Sequence, residues 1–119
     1  MTRYVLTTDL RDDPAAIAAY RDYHREVWPE VLASLQRAGI RKMDIYMFGR
    51  RAVMVLETDG RDPARCFALH TASSPRVVEW ERLMKDLQQP PPGGRADEWW
   101  SMMEPVFSLE EALARPTSA

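Results

Sequence analysis

Apolar and polar positions change period several times along the chain, and each change marks an element. Residues Arg3 to Leu10 (RYVLTTDL) are β-branched and apolar enough for a core strand. Asp13 then suits a helix N-cap and Pro14 the first helical position, where the missing N–H of proline costs nothing. From Pro14 to Ala38, apolar residues recur every three or four positions, at Ile17, Tyr20, Tyr23 or His24, Val27 or Trp28, Val31 or Leu32, and Leu35. That spacing predicts an amphipathic helix, stopped by Gly39. Pro29 falls inside the pattern, removes a hydrogen bond and clashes with the preceding turn, so a kink or break is expected near Val27 and Trp28.

Lys42 to Phe48 and Ala52 to Glu57 are two β-rich runs around Gly49, Arg50 and Arg51, which reads as a hairpin. Pro63 to Leu69 suits a short helix. Pro75 to Leu87 suits a longer one, capped by Ser74, with Val78, Leu83, Met84 and Leu87 on its apolar side. The run QQPPPGG from Gln88 to Gly94 is expected to be a loop, since its prolines lack donors and its glycines favour irregular backbone. Trp99 to Leu109 (WWSMMEPVFSL) then suits a last strand, with Pro105 restricting it to an edge or a bulge.

The order β-α-β-β-α-β predicts an α+β, ferredoxin-like fold: an antiparallel sheet with helices on one face, in one domain over residues 1–109, followed by a peripheral tail over 110–119. Such a sheet leaves its other face uncovered. With seven Met and four Trp in 119 residues, a second copy is the expected cover, giving a homodimer of the dimeric α/β-barrel type.

Composition narrows the partners. Sixteen basic residues against eighteen acidic ones leave a net charge of −2, too little positive field to hold a polyanion, so no nucleic acid is expected. Cys66 is the single cysteine, which rules out an intramolecular disulfide and suits a reducing cytoplasm. The opening MTRYVLTTDLRDD has no apolar signal core, and no run approaches the roughly 20 apolar residues of a membrane span. A cytoplasmic protein with no membrane partner is expected.

The candidate chemistry centres on the histidines, of which there are two, His24 and His70. Histidine exchanges protons in both directions near neutral pH. His24 follows Tyr20 by four residues, so the two stack on one helix face, and Trp28 continues the row. A phenol, an imidazole and an indole in one stripe would suit a small polar ring, with aromatic faces against C–H surfaces and polar tips against hydroxyls. The same spacing serves plain core packing, so periodicity leaves both readings open. His70 precedes a Ser-rich turn, suits a helix C-terminus, and is expected to be structural or solvent-facing. No HxH, HxxxH or CxxC spacing supports a metal, no Gly-rich phosphate loop or GxSxG elbow is present, and Cys66 reads as a small buried hydrophobe. No metal and no cofactor are expected. Trp99 and Trp100 are candidates to close a pocket, with alternation allowing only one to face it.

Taken together, Tyr20-x-x-x-His24, Trp28-Pro29-Glu30, Gly39, Ile45-Tyr46, Trp80, Met84 and Asp86 resemble the L-rhamnose mutarotase family over residues 3–109. The resemblance implies a ferredoxin-like dimer without metal or cofactor, in which His24 is the acid/base residue and Tyr20 and Trp80 contact the sugar. Two positions depart from the rhamnose-type pattern: Met43 stands where a tyrosine contacts sugar, and Glu81 where a second tryptophan follows the first. The string Glu79-Trp80-Glu81 with Leu83 and Met84, before a Pro-rich segment, resembles a subgroup associated with L-fucose.

Mutarotation of a 6-deoxy-L-sugar such as L-rhamnose or L-fucose is therefore the expected activity. It opens a cyclic hemiacetal and recloses it with the carbonyl face turned, and needs only proton transfer. His24 is expected to deliver and recover the ring-oxygen proton, Tyr20 and Tyr46 to hold hydroxyls, Trp80 to pack on the sugar's apolar face, and Glu81 to accept bonds from vicinal hydroxyls. Two alternatives stay open: a cofactor-free monooxygenase of the dimeric α+β barrel type, which shares this strand order, and a non-catalytic small-ligand-binding dimer.

Overall fold

The computed structural model describes residues 2–115. Strand β1 (Arg3–Leu10) leads into α1 (Pro14–Tyr23), whose start is fixed as the sequence predicts: the Asp13 side chain accepts from the Ala15 N–H, and Pro14 opens the helix. The expected break is real. α1 ends at Tyr23, residues 24–28 cross over, and α2 (Pro29–Arg37) starts anew with Pro29 in its first turn.

α2 hands the chain to β2 (Ile40–Phe48) through Gly39, whose φ of +99° is open to glycine and strained for other residues. A Cβ there would also lie 2.7 Å from an Asp59 carboxylate oxygen. β2 turns at Gly49 into β3 (Arg51–Thr58), completing the predicted hairpin. Two helices follow, α3 (Pro63–Thr71) and α4 (Pro75–Leu87). Asp62 caps the first, and the Ser74 hydroxyl accepts from Val77 N–H at the start of the second.

The fourth strand departs from expectation. It is split into two short pieces, β4 (Gln88–Gln89) and β5 (Ser101–Met102), both antiparallel to β1: Leu10 faces Gln88 and Asp9 faces Gln89, while Thr7 faces Ser101 and Leu6 faces Met102. Residues 90–100 leave the sheet edge between them, because Pro90, Pro91 and Pro92 cannot donate to a ladder. Gln88 and Gln89 thus belong to the sheet and not to the loop, and the expected strand over Trp99 to Leu109 shrinks to two residues. Residues 103–108 are irregular, and α5 (Leu109–Ala114) forms within the expected tail, all of it exposed. Residues 116–119 of that tail lie outside the described residues.

The sheet order β2-β3-β1-β4, with β5 also on β1, is the ferredoxin-like arrangement. Alternation along the strands sends Leu6, Leu10, Met54 and Leu56 to the helix side. There, Leu10, Tyr20, Val31, Val77, Trp80 and Met84 form one buried cluster, and Leu6, Ile40, Met54, Leu56 and Cys66 form another. On the opposite face of β2 and β3, Tyr46 pairs with Val53, Asp44 with Val55 and Phe48 with Arg51. Phe48 is 89% exposed, so this face is uncovered within the chain.

Candidate active site

Where the two clusters meet, the packing does not close. A cavity of about 480 Å³ opens between the sheet and the helices, lined by members of both clusters, among them Leu6, Met54, Tyr20, Val31, Trp80 and Met84. That volume falls within the range of small-molecule sites, roughly 300–1,000 Å³.

One side of the cavity is built by the end of α1. The last turn stacks Tyr20 and His24 with ring centroids 4.4 Å apart. His24, half-buried as the C-cap of α1, points Nδ1 at the Tyr20 carbonyl oxygen at 2.7 Å. A carbonyl can only accept, so Nδ1 carries the hydrogen and donates, which leaves Nε2 with a bare lone pair in the neutral ring. Burial holds the His24 imidazole below its ordinary pKa, partly opposed by that same hydrogen bond. The neutral form is therefore favoured around neutrality. Burial also pushes the Tyr20 hydroxyl far up, with the Gln88 side chain pulling the other way and the Glu81 carboxylate adding to the rise, so Tyr20 stays a protonated donor.

Trp80, buried on α4, stands edge-on to three rings at once: His24 at 5.7 Å, Tyr23 at 5.8 Å and Trp28 at 5.0 Å. Trp28 does not continue the Tyr20–His24 row, because α1 has ended before it. It instead wedges between Trp80 and the Arg76 guanidinium, which lies 3.5 Å from the Trp28 ring centroid, and so steadies the indole that faces the cavity.

The other side is polar. His70, near the end of α3, is 2% exposed and has both ring nitrogens engaged: Nδ1 lies 2.7 Å from Ser34 Oγ on α2, and Nε2 lies 3.2 Å from Glu81 Oε1 on α4. Glu81 keeps 32% of its side chain exposed and lines the cavity. Although Trp80 and Glu81 diverge by about 100° on the helix, both border the cavity, Trp80 with Met84 and Glu81 with Lys85 forming two adjacent rows of α4 along it.

The structure thus brings together four of the five residues singled out in the sequence: Tyr20, His24, Trp80 and Glu81. Tyr46 does not join them. It sits at an even position of β2, whose odd neighbours Met43 and Ile45 line the cavity, so the pleat turns it onto the uncovered face, 62% exposed. Met43, at the departing position, is a cavity residue. Both Trp99 and Trp100 line the cavity, contrary to the expectation of one, because that segment is a bend and not a strand. His70, expected to be structural or solvent-facing, is buried and borders the cavity, and nothing in its own helix announces Ser34, which lies 36 positions away. The described residues contain no group of three or more His, Cys, Asp or Glu that could hold a metal ion, and no helix among them is long and apolar enough to cross a membrane.

Comparison with known proteins bears on the family and the fold. Residues 3–109 match the family model described as L-rhamnose mutarotase. The L-fucose mutarotase of Xanthomonas campestris pv. campestris is 43% identical over 117 residues, covering 96% of this chain and 93% of that protein. Among solved structures, the L-rhamnose mutarotase of Formosa agariphila superposes with a TM-score of 0.64 at 20% identity, covering 92% of this chain and 99% of that one. An antibiotic biosynthesis monooxygenase superposes at 0.54 with 19% identity, covering 88% and 99%, so the fold is shared by enzymes of another class. The sequence relationship, not the fold, separates the two.

Proposed function

The chain belongs to the L-rhamnose mutarotase family, and from that premise we propose that it interconverts the α and β anomers of a 6-deoxy-L-sugar, with His24 as the base that opens the ring. The observation that carries this is the Nδ1–H donated to the Tyr20 carbonyl, which leaves the His24 Nε2 lone pair free in a cavity of suitable size. This reading gives His24 the opposite role at the first step from the delivery of the ring-oxygen proton expected from the sequence. A neutral imidazole accepts the proton of the anomeric hydroxyl, and only the resulting imidazolium returns it on reclosure. Tyr20 donates a hydrogen bond to a sugar oxygen, and Trp80 and the apolar lining pack on the C–H face.

L-Fucose is the first substrate to test. The relative at 43% identity is an L-fucose mutarotase, and Glu81 gives this cavity a carboxylate that can accept bonds from vicinal hydroxyls. Saturation-transfer NMR of the anomeric signals of L-fucose and L-rhamnose, with wild type and His24→Ala side by side, tests both claims. Exchange accelerated by the wild type and not by the variant supports them. Unchanged exchange of both sugars with wild type would reject the mutarotase reading, and an active His24→Ala would reject the base.

The uncovered face of β2 and β3, with Tyr46, Phe48, Val53 and Val55, supports a homodimer through this sheet. Sedimentation showing a monomer at micromolar concentration would overturn it. Cys66, buried and unpaired as the single cysteine, supports a reducing, cytoplasmic location.

A further inference from the structure

Base catalysis by His24 leaves half of the reaction unprovided for: when the ring opens, the ring oxygen must receive a proton. The polar side of the cavity holds one, as hydrogen-bond bookkeeping around His70 shows. Ser73 Oγ lies 2.7 Å from the His70 carbonyl oxygen, an atom that only accepts, so the single Ser73 hydroxyl hydrogen points there. Ser34 Oγ lies 2.8 Å from Ser73 Oγ, and with the Ser73 hydrogen committed, Ser34 is the donor in that pair. The contact from Ser34 Oγ to the His70 carbonyl, at 3.4 Å, is too long to compete.

With its own hydrogen committed, Ser34 Oγ can only accept from His70 Nδ1 at 2.7 Å. His70 Nδ1 is therefore protonated. In a neutral ring Nε2 would then be a bare acceptor, yet it faces Glu81 Oε1 at 3.2 Å, an acceptor when ionised. Two acceptors at that distance require a proton between them, as an imidazolium beside a carboxylate or as a carboxyl donating to an imidazole.

We propose that this His70–Glu81 pair is the acid partner of His24, with Glu81 the catalytic residue that faces the sugar, and Ser34, Ser73 and His70 positioning residues that keep the proton in place. The proposal rests on the mutarotase reading above. In the ring-opening step, His24 Nε2 takes the proton from the anomeric hydroxyl, the C1=O double bond forms as the bond from C1 to the ring oxygen breaks, and the ring oxygen takes the proton of the His70–Glu81 pair. After rotation about C1–C2, both protons return and the ring recloses as the other anomer. No proton or electron is gained overall, so no co-reactant is needed. The other titratable side chains lining the cavity are Tyr20, Asp62 at the N-cap of α3, Lys85 one turn along α4, and Glu98 on the returning loop.

The protonation claim can be read without any activity. The protein has two histidines, so ¹⁵N-histidine labelling gives two ring systems, and a His24→Gln variant identifies which is His70. At neutral pH the His70 Nδ1 should carry a hydrogen. A neutral ring with its proton on Nε2 and a bare Nδ1 would overturn the proposal, because Ser34 would then be its donor and Glu81 an ordinary carboxylate.

The kinetic claim is read in Glu81→Gln, a substitution at a partly exposed site. For the sugar that wild type turns over, kcat should fall about 100-fold with KM within about three-fold, and the alkaline limb of the pH–rate profile should disappear. Glu81→Asp should restore part of both. A Glu81→Gln enzyme with wild-type kcat and an intact alkaline limb overturns the proposal while leaving His24 in place. Wild type that exchanges neither sugar defeats the mutarotase reading instead, and leaves the ¹⁵N result standing.

Discussion

The two sides of the cavity each present one histidine, and they differ in what they leave free. On the α1 side, His24 is half-buried and spends one nitrogen on its own helix, keeping the other available. On the α3 side, His70 is buried with both nitrogens engaged by side chains from α2 and α4. The first arrangement is poised for exchange with a ligand. The second is a cross-link between three helices that exchanges only through Glu81. Two histidines in one cavity therefore divide along different axes, rate for one and stability together with proton supply for the other.

The sharpest way to break that comparison is to remove each ring in turn. His24→Gln should lower kcat by about 10² to 10⁴, the usual range for a general base and equivalent to about 3–5 kcal/mol of barrier, while leaving the urea midpoint close to wild type. The ring is half-buried and its one hydrogen bond is local, worth about 1 kcal/mol. His70→Ala should do the reverse in stability. It empties a buried site and leaves Ser34 without its partner, which should cost about 2–4 kcal/mol in urea unfolding. A His70→Ala protein as stable as wild type would show that the Ser34–His70–Glu81 contacts hold nothing together.

The sequence disclosed these two sides unequally, for physical reasons. Local signals were sufficient wherever one segment sets its own conformation: Asp13 and Ser74 as caps, Pro29 as a break, Gly39 and Gly49 at turns. The Tyr20–His24 stack is also local, four residues apart on one helix, so spacing predicts the pair, while its role rests on the family resemblance. Partners distant in the chain left no such trace. His70 finds Ser34 only after the helices pack, and the split of the fourth strand depends on how β1 offers its free edge to Gln88–Gln89 and Ser101–Met102. Tyr46 turns away from the cavity by one step of strand parity, since its neighbour Ile45 is the residue facing it.

A smaller effect appears in the pH dependence of stability that His24 contributes. Burial lowers the folded-state pKa of His24, so the unfolded chain, with its ordinary value near 6.5, takes up that proton first as pH falls. The unfolded state then binds more protons, and stability falls as pH drops below about 6.5, levelling off once pH passes below the depressed folded value. Urea unfolding between about pH 5 and pH 7.5 should show this slope in wild type and a flatter curve in His24→Gln. Identical curves would mean that His24 is not held neutral by the fold.

The smallest change asks whether Tyr20 belongs to the acid side or merely holds the sugar. Burial keeps its hydroxyl protonated well beyond neutral pH, so it can donate a hydrogen bond and is a poor source of a proton to transfer. Tyr20→Phe removes one hydrogen bond and keeps the ring stacked on His24, which should lower kcat/KM about three- to ten-fold, the equivalent of about 0.5–1.5 kcal/mol, without removing a limb of the pH profile. If Tyr20→Phe instead costs as much as His24→Gln and erases the alkaline limb, the proton for the ring oxygen comes from the α1 side. His70 and Glu81 would then be left with the structural half of the comparison alone.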